Sequence, residues 1–315
     1  MKIEEIAEYC AFKEEECYQN ITFSNLEKSK LKKQEMLIEI KDSNFRIINA
    51  HDTQDRIRMN YLNFALNNSG IDFSKISFKA IINLDDDVPN FESDAPRICL
   101  SKRKGHGNIL IPDSHCFALK DHKKNIDQMR NRIDFDKKIN QMIFSGSDTG
   151  VFKCADKNQR FQFCLNNKNK GNFKITQFVE IEKNSLNNYD WQSVASDRVS
   201  IEDHLKFKFI LNINGNTTSW ERLLWVMYSD SLCVWLKPQA EQMSWYYHMF
   251  DLFGGPVMVS ENDWEDVINF YIKNESFAKH VCDHQTNLAS NIMNDKIHLL
   301  YLKLAIERYN KQYNS

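Results

Sequence analysis

The 315-residue sequence predicts an α/β protein built on parallel sheets. In the second half, apolar segments of strand length alternate with segments of helical spacing. The clearest case is 207–236, where an alternating strand at 207–213 leads through a polar turn and a helical pattern to an apolar strand at 231–236. In the first half, residues 76–84 form one mostly apolar segment that ends at three carboxylates. Strands separated by helices favour a parallel sheet that is covered on both faces.

The other elements follow from the same patterns. The first seventy residues, rich in Lys, Glu and Asn, carry short helical patterns and little chemistry. Further strands and helices are predicted, in chain order, at 97–100, 142–144, 256–259 and 264–272. A final helix at about 297–313 has an apolar side formed by Leu299, Leu302, Ile306 and Tyr309, and we expect it to pack back on the body.

The chain is long enough for two domains, at about 150 residues per domain. Polar and charged residues dominate 121–138, which makes this segment the best candidate for a crossing between them. We therefore predict two domains, at 1–130 and 131–290, and a C-terminal helix at 291–315.

Composition excludes several function classes. The 41 basic and 43 acidic side chains leave a formal charge of −2, so no global field attracts nucleic acid. The eight cysteines contain no Cys-x-x-Cys pair, which indicates reduced thiols, and no Cys or His cluster has the spacing of a zinc site. The acidic opening of the sequence is not a secretory signal, and no apolar run is long enough to cross a bilayer. We expect a cytoplasmic protein.

The polar turn of the strand-turn-helix unit is a candidate phosphate site. A glycine permits a tight turn, Thr218 or Ser219 can cap the following helix, and the positive end of the helix dipole faces the turn. A diphosphate is the natural occupant of such a place. The residues predicted to bind it are Gly215, Asn216, Thr217, Thr218 and Ser219.

Several collinear motifs resemble those of glycosyltransferase family 90, which includes capsule-associated and lipopolysaccharide-modifying enzymes and protein O-glucosyltransferases. The segments that carry the resemblance are 144–150 (FSGSDTG), 207–209 (FKF), 215–219 followed by Arg222, and 231–237 (SLCVWLK). Their order and spacing agree with the family over about 77–309. Two departures are Ser145, where the family usually has Arg, and Gly254-Gly255-Pro256, where it usually has His-Tyr.

The resemblance implies a fold and a donor site. It implies a GT-B-like fold, in which two Rossmann-like domains face each other across a cleft and the C-terminal domain holds a UDP-sugar as the donor substrate, with no further cofactor. Ser147 and Thr149 would line the donor site. Arg160, with Lys153 as a weaker substitute, and Arg222 would bind the phosphates, for which the forked guanidinium is well suited.

The resemblance also implies an inverting reaction, in which a base takes the proton of the acceptor hydroxyl. The family pattern places this base at Asp86, while an Asp-x-Pro pattern instead fits Asp87. Three adjacent carboxylates should raise the pKa of at least one of them by mutual repulsion, which suits a base. The choice among Asp85, Asp86 and Asp87 stays open at this point.

The acceptor expected from the bacterial members is a glycan or glycolipid of lipopolysaccharide or surface polysaccharide, met by peripheral association with the inner membrane face. Two alternatives remain. Asp85 and Asp87 would suit a metal-dependent GT-A-type glycosyltransferase, because hard carboxylate oxygens bind Mn²⁺ or Mg²⁺. The chain would otherwise be a catalytically inactive module that binds a nucleotide or a glycan.

Overall fold

The computed structural model describes residues 3–18, 26, 31, 34–50, 56–85, 97–113, 115–130 and 132–315. The strands are β1 (Glu35–Lys41), β2 (Asn44–Ala50), β3 (Phe78–Asn83), β4 (Arg97–Cys99), β5 (Lys102–Arg103), β6 (Ile109–Leu110), β7 (Ile139–Ser147), β8 (Asn172–Gln177), β9 (Phe207–Asn212), β10 (Leu232–Leu236), β11 (Gln242–Met243) and β12 (Val257–Val259). The α-helices are α1 (Ile3–Tyr18), α2 (Arg56–Asn68), α3 (His115–Arg130), α4 (Gln159–Asn166), α5 (Lys183–Leu186), α6 (Ile201–Leu205), α7 (Glu221–Met227), α8 (His248–Phe253), α9 (Trp264–Lys273), α10 (Glu275–Ile292) and α11 (Asp295–Tyr313). Short 3₁₀ helices occur at Phe73–Lys75, Phe135–Lys137, Trp191–Ser193 and Trp245–Tyr247.

The chain divides into two compact units. The first contains residues 1–117, 241–253 and 294–315, and the second contains 118–240 and 254–293. The α/β class predicted from the sequence is confirmed, because each unit carries a five-stranded sheet with helices. The GT-B-like arrangement of two facing Rossmann-like domains stays a prediction, as do the domain limits 1–130, 131–290 and 291–315.

The sheet of the first unit has the order β2-β1-β3-β4-β6. Strands β3, β4 and β6 are parallel, whereas β1 is antiparallel to both β2 and β3. The sheet is therefore mixed, which differs from the fully parallel sheet of a Rossmann-like domain. Residues Phe78, Ala80, Ile81 and Ile82 of β3 are buried, so the predicted strand at 76–84 is confirmed as a central strand.

The β1–β2 hairpin is a feature that the helical patterns of the first seventy residues did not predict. Its two-residue turn consists of Asp42 and Ser43, whose φ angles are 52° and 62°. Positive φ at both positions is the mark of the turn type that joins tightly paired strands, and it is usually signalled by Asn-Gly or Asp-Gly. The sequence lacks the glycine, and the apolar alternation of β1 is short, so the hairpin carried no strong signal.

A buried ion pair joins β1 and β4 inside the first unit. Nε of Arg97 lies 2.7 Å from Oε1 of Glu35, and both side chains are almost fully buried. Nδ2 of Asn83 donates to the same Oε1 at 3.0 Å. The pair therefore connects β1, in the antiparallel part of the sheet, to β4, in its parallel part.

Replacing Arg97 by methionine should strongly destabilise this unit. The substitution leaves the Glu35 carboxylate buried without its counter-ion, which typically costs about 3–5 kcal/mol of the free energy of unfolding. Urea denaturation followed by circular dichroism measures this loss. The double variant Glu35→Gln, Arg97→Met should recover part of it, because the uncompensated charge is then absent. A double variant no more stable than Arg97→Met would contradict this account.

The sheet of the second unit has the order β12-β10-β9-β7-β8, with all five strands parallel. The chain leaves β7 towards β8 and then returns to the other side of β7 to form β9. The order of the strands therefore reverses between β7 and β9. In open α/β sheets, ligands bind beyond the carboxyl ends of the strands at such a reversal.

The core of this unit confirms the predicted alternation of strands and helices. The strands predicted at 207–213 and 231–236 are β9 and β10, and both are buried along their full length. The helix predicted at 264–272 is α9. The final predicted helix is α11, which packs on α1 and α2 within the first unit. Helix α10, with 18 residues, was not predicted, although its buried face includes Ala278, Cys282 and Ala289.

Among the described residues, no helix is long and apolar enough to span a bilayer. The seven cysteines whose side chains are described are free thiols.

Candidate functional site

A cavity of about 440 Å³ lies at the C-terminal end of β7, in the second unit. We call it the switch-point cavity, because β7 is the strand at which the sheet order reverses. Its wall includes Phe144, Ser145, Gly146, Ser147, Arg160, Thr176, Gln177, Arg198, Ile201, His204, Glu221, Arg222 and Trp225. The charged side chains in this wall are three arginines and one glutamate, so the cavity is electropositive.

Arg222 is the most informative side chain in this wall. Its Nη1 donates to the carbonyl oxygen of Ser145 at 3.0 Å, whereas Nε and Nη2 are buried and have no hydrogen-bond partner among the described residues. The guanidinium lies over the rings of Phe144 and Trp225, with its carbon 5.2 and 5.4 Å from their centroids. Burial lowers the pKa of Arg222 to about 10, so it remains a cation at neutral pH. A buried cation with unpaired donors destabilises the folded state unless a ligand accepts their hydrogen bonds.

Arg160 has a different set of partners. Its nitrogens donate to the carbonyl oxygens of Ser147, Ile213 and Asn214 and, at 2.6 Å, to Oγ1 of Thr149. Burial, followed by the nearby charge of Arg222, lowers the pKa of Arg160 to about 9. Arg160 therefore holds the chain after β7 against the chain after β9, and it adds a second positive charge to the cavity wall.

Of the residues predicted from the sequence, Ser147, Arg160 and Arg222 meet in the switch-point cavity. Thr149 and Gly215 lie just behind Arg160. A Cβ atom added at Gly215 would lie 3.0 Å from Oγ1 of Thr149 and 3.2 Å from Nη2 of Arg160, so a side chain at this position would crowd Arg160 and its partner Thr149.

The rest of the predicted phosphate loop faces inward. Asn216 accepts a hydrogen bond from the backbone N–H of Gly150. Thr217 and Thr218 are buried, and Oγ of Ser219 donates to Asn214 while it accepts from Asn212. Asn216 and Ser219 thus fix the loop by hydrogen bonds, whereas Oγ1 of Thr217 and of Thr218 has no hydrogen-bond partner among the described residues. The residues that line the cavity include none of the four.

The predicted cap by Thr218 or Ser219 is wrong. Helix α7 begins at Glu221, and its N-cap residue is Trp220, whose side chain does not accept a capping hydrogen bond from the first turn of the helix. Trp220 has a φ of 46°, in the left-handed region that a bulky side chain rarely adopts. The chain thus turns sharply between the loop and the helix, and Ser219 is committed to the loop instead.

Asp148 belongs to the segment 144–150, but the sequence analysis did not assign it a role. Its carboxylate is buried and accepts hydrogen bonds from the backbone N–H groups of Val179, Glu180 and Ile181. It thereby fixes the turn that follows β8, next to the cavity. A buried carboxylate surrounded by three backbone donors is a positioning residue, and no sequence spacing reveals it.

His204, in α6, is a second side chain that the sequence analysis did not select. It belongs to the wall of the switch-point cavity and is almost fully buried. Its Nδ1 lies 2.7 Å from the carbonyl oxygen of Ser200, and its Nε2 has no hydrogen-bond partner in the described part of the chain. Burial, and then the charge of Arg222, lowers the pKa of His204 to about 4.

The candidate bases Asp86 and Asp87 lie outside the described residues. Asp85 is described, and it follows β3 directly. Its backbone N–H donates to Oδ1 of Asn83 at 2.8 Å, which turns the chain away from the strand at the C-terminal edge of the first sheet. In the described ranges, no group of three or more His, Cys, Asp or Glu side chains is arranged to hold a metal ion.

The chain is similar to a curated glycosyltransferase. No protein-family model matches the chain. The O-glucosyltransferase rumi of Drosophila melanogaster is 24% identical over 242 residues, which cover 69% of this chain and 54% of the relative. The chain is a distant homologue of a glycosyltransferase. It spans about half the length of that relative, and the similarity supports a glycosyltransferase relationship without singling out the capsule-associated and lipopolysaccharide-modifying members.

Proposed function

We propose that the protein is an inverting glycosyltransferase that takes a sugar from a UDP-sugar and transfers it to a hydroxyl group. The observation that carries the proposal is Arg222, whose Nε and Nη2 are buried without partners among the described residues, in a cavity at the strand-order reversal. A diphosphate supplies the two anionic oxygens that a guanidinium fork prefers. The distant similarity to a glycosyltransferase supports the choice of a sugar nucleotide as the source of that diphosphate.

The chemistry of the reaction explains why cations are needed at this place. The acceptor oxygen forms a bond to the anomeric carbon while the bond from that carbon to the β-phosphate oxygen breaks. The electron pair of the breaking bond leaves with UDP, so about one additional negative charge develops on the β-phosphate. Arg222, already desolvated and fixed over two aromatic rings, would stabilise this charge without reorganising.

Arg160 contributes to the proposed reaction mainly by position. With the carbonyl oxygens of Ser147, Ile213 and Asn214 as its partners, it holds the strand ends that form the cavity wall. Its positive charge adds to the electrostatic attraction for the diphosphate. Ser147 offers a hydroxyl group at the same wall. In this proposal, the loop of Gly215, Asn216, Thr217, Thr218 and Ser219 shapes the site from behind.

The proton of the acceptor hydroxyl needs a base, and we propose Asp86 for this role, with Asp87 as the competing residue. The acceptor that we propose is a glycan or glycolipid of lipopolysaccharide or surface polysaccharide. This choice rests on the resemblance to the bacterial members of the family. The name of the Drosophila relative, an O-glucosyltransferase, makes glucose the first sugar to test.

Binding and metal dependence can be tested together. UDP-glucose, UDP-xylose, UDP-galactose and their N-acetyl forms are screened by thermal shift. The true donor should stabilise the protein by about 2.7 kcal/mol at a hundredfold excess over its dissociation constant. Release of UDP is then measured with excess EDTA. Unchanged turnover in EDTA is expected, because Arg222 and Arg160 supply the positive charge.

Two outcomes would contradict this account. Turnover abolished by EDTA and rescued by Mn²⁺ would favour the GT-A-type alternative, in which Asp85 and Asp87 bind the metal. Tight UDP binding without transfer to any acceptor, and without hydrolysis, would indicate an inactive binding module.

A further inference from the structure

The wall of the switch-point cavity contains a hydrogen-bond acceptor as well as cations. The Nδ1 of His204 lies 2.7 Å from the carbonyl oxygen of Ser200, and a carbonyl oxygen can only accept. The proton of the neutral ring is therefore on Nδ1, and Nε2 carries a lone pair. This nitrogen has no partner among the described residues, although it is buried.

The surroundings keep this ring neutral. Burial and the positive charge of Arg222 both oppose its protonation and lower the pKa of His204 to about 4. The ring packs edge-on against Trp225, with the centroids 5.7 Å apart, and Arg222 lies over the same Trp225. The other charged groups of the wall are Arg160, Arg198 and Glu221, and Asp203 precedes His204 in α6. At neutral pH, Nε2 is thus a hydrogen-bond acceptor in a wall that also contains Arg160, Arg198 and Arg222.

A diphosphate alone cannot provide hydrogen-bond partners for all of these groups. Its oxygens can accept hydrogen bonds from Arg222, but a fully ionised diphosphate has no hydrogen to donate to Nε2 of His204. The complementary ligand carries an O–H or N–H donor a short distance from its anionic group. In a nucleoside diphosphate, the candidates are the ribose hydroxyl groups and the N–H of a base such as uracil.

We propose that His204 is a specificity-determining residue whose Nε2 accepts a hydrogen bond from a ribose hydroxyl or the base N–H of the bound nucleoside diphosphate. The inference rests on the proposed function of the same cavity, and it adds a recognition group for the nucleoside to the phosphate-binding arginines. Because Nε2 is buried, the side chains of the wall must adjust when the ligand enters, as side chains at binding sites commonly do.

Two substitutions separate this role from a structural one. Asparagine at position 204 places an amide N–H near the position of Nδ1, which keeps the bond to Ser200, but it removes the acceptor at Nε2. Glutamine extends its amide to the position of Nε2 and restores an acceptor there. If Nε2 of His204 accepts a hydrogen bond from the ligand, His204→Asn weakens UDP binding about tenfold, since a net hydrogen bond contributes about 0.5–1.5 kcal/mol. His204→Gln should then recover most of the lost affinity.

A set of ligands shows which group of the nucleotide donates the hydrogen bond to Nε2. Isothermal titration calorimetry compares UDP, 2′-deoxy-UDP, 3′-deoxy-UDP, N3-methyl-UDP and inorganic diphosphate on wild type and both variants. One analogue should bind wild type about tenfold more weakly than UDP. The same analogue, and inorganic diphosphate, should be insensitive to His204→Asn. The analogue that behaves in this way shows which donor meets Nε2.

Other results would overturn the inference. It fails if His204→Asn binds UDP as tightly as wild type, if it weakens UDP and diphosphate equally, or if His204→Gln is the weaker variant. If neither variant folds, wild type alone decides, because equal affinity for UDP and all three nucleoside analogues excludes the bond. Binding of inorganic diphosphate without any binding of UDP would instead refute the proposed donor, and the inference with it.

Discussion

Replacing Arg222 by methionine is expected to weaken UDP binding about a hundredfold. The side chain has two buried nitrogens without partners among the described residues, and hydrogen bonds to a charged group contribute about 1.5–3 kcal/mol each. Methionine has a similar length and still packs on Phe144 and Trp225, so the change removes charge and donors rather than volume. Calorimetric titration with UDP measures the loss. Arg222→Lys should recover little, because an ammonium group cannot replace the fork.

The same substitution should lower the thermal midpoint of the free protein only slightly. It removes the hydrogen bond from Nη1 to the carbonyl oxygen of Ser145 and the cation–π contacts with Phe144 and Trp225, which stabilise the fold. It also removes two buried donors without partners among the described residues, and leaving such donors unsatisfied costs about 1–3 kcal/mol, so the two effects largely offset each other. A residue whose substitution weakens ligand binding much more than folding is retained for function.

The matched control for this prediction is Arg132→Met. Arg132 belongs to the same unit and pairs with Glu202 at 2.9 Å, with both side chains mostly exposed. This change should affect neither UDP affinity nor stability by more than about 1 kcal/mol. A large drop in the thermal midpoint of Arg222→Met, together with unchanged UDP affinity, would make Arg222 a structural residue and remove the main support for the proposed function.

The second unit was the part of the fold that the sequence predicted best. Parallel strands buried on both faces, such as β9 and β10, appear in the sequence as predominantly apolar segments of strand length, although Lys208 and Asn212 interrupt β9. The first unit carried weaker signals. Its β1–β2 hairpin turns through Asp42 and Ser43 without a glycine, and β2 is exposed along its whole length, so it shows no core-facing alternation. The strand β2 forms because it pairs with β1, and its own sequence pattern does not indicate a strand.

The candidate site was only partly predictable, for a similar reason. The motifs selected Ser147, Arg160 and Arg222, which the fold brings into one cavity. Sequence could not distinguish the two arginines, because the difference lies in their partners. Backbone carbonyl groups from distant segments occupy most of Arg160, whereas Arg222 keeps two free nitrogens within the described structure. His204 was missed because its tautomer and burial depend on contacts with Ser200 and Trp225.

Replacing Asp86 by asparagine is expected to reduce the rate of sugar transfer about a thousandfold, within the range of about 10²–10⁴ that a positioned base contributes. Asparagine has nearly the same shape, but its amide cannot take the proton of the acceptor hydroxyl. UDP affinity should stay within about twofold of wild type, because the phosphate contacts proposed here involve Arg222 and Arg160 instead. The measurement is release of UDP under saturating donor and acceptor, with UDP affinity determined separately.

The neighbouring carboxylates supply the controls for this prediction. Asp85→Asn and Asp87→Asn change the charge of the same segment by the same amount, so a general electrostatic effect would lower all three rates alike. A base acts at one position, and only its removal should have the large effect. If Asp87→Asn is the inactive variant, the base is assigned to Asp87 and the inverting mechanism stands. If each of the three variants keeps more than about a tenth of the wild-type rate, no residue of this segment is the base, since a positioned base contributes at least about a hundredfold.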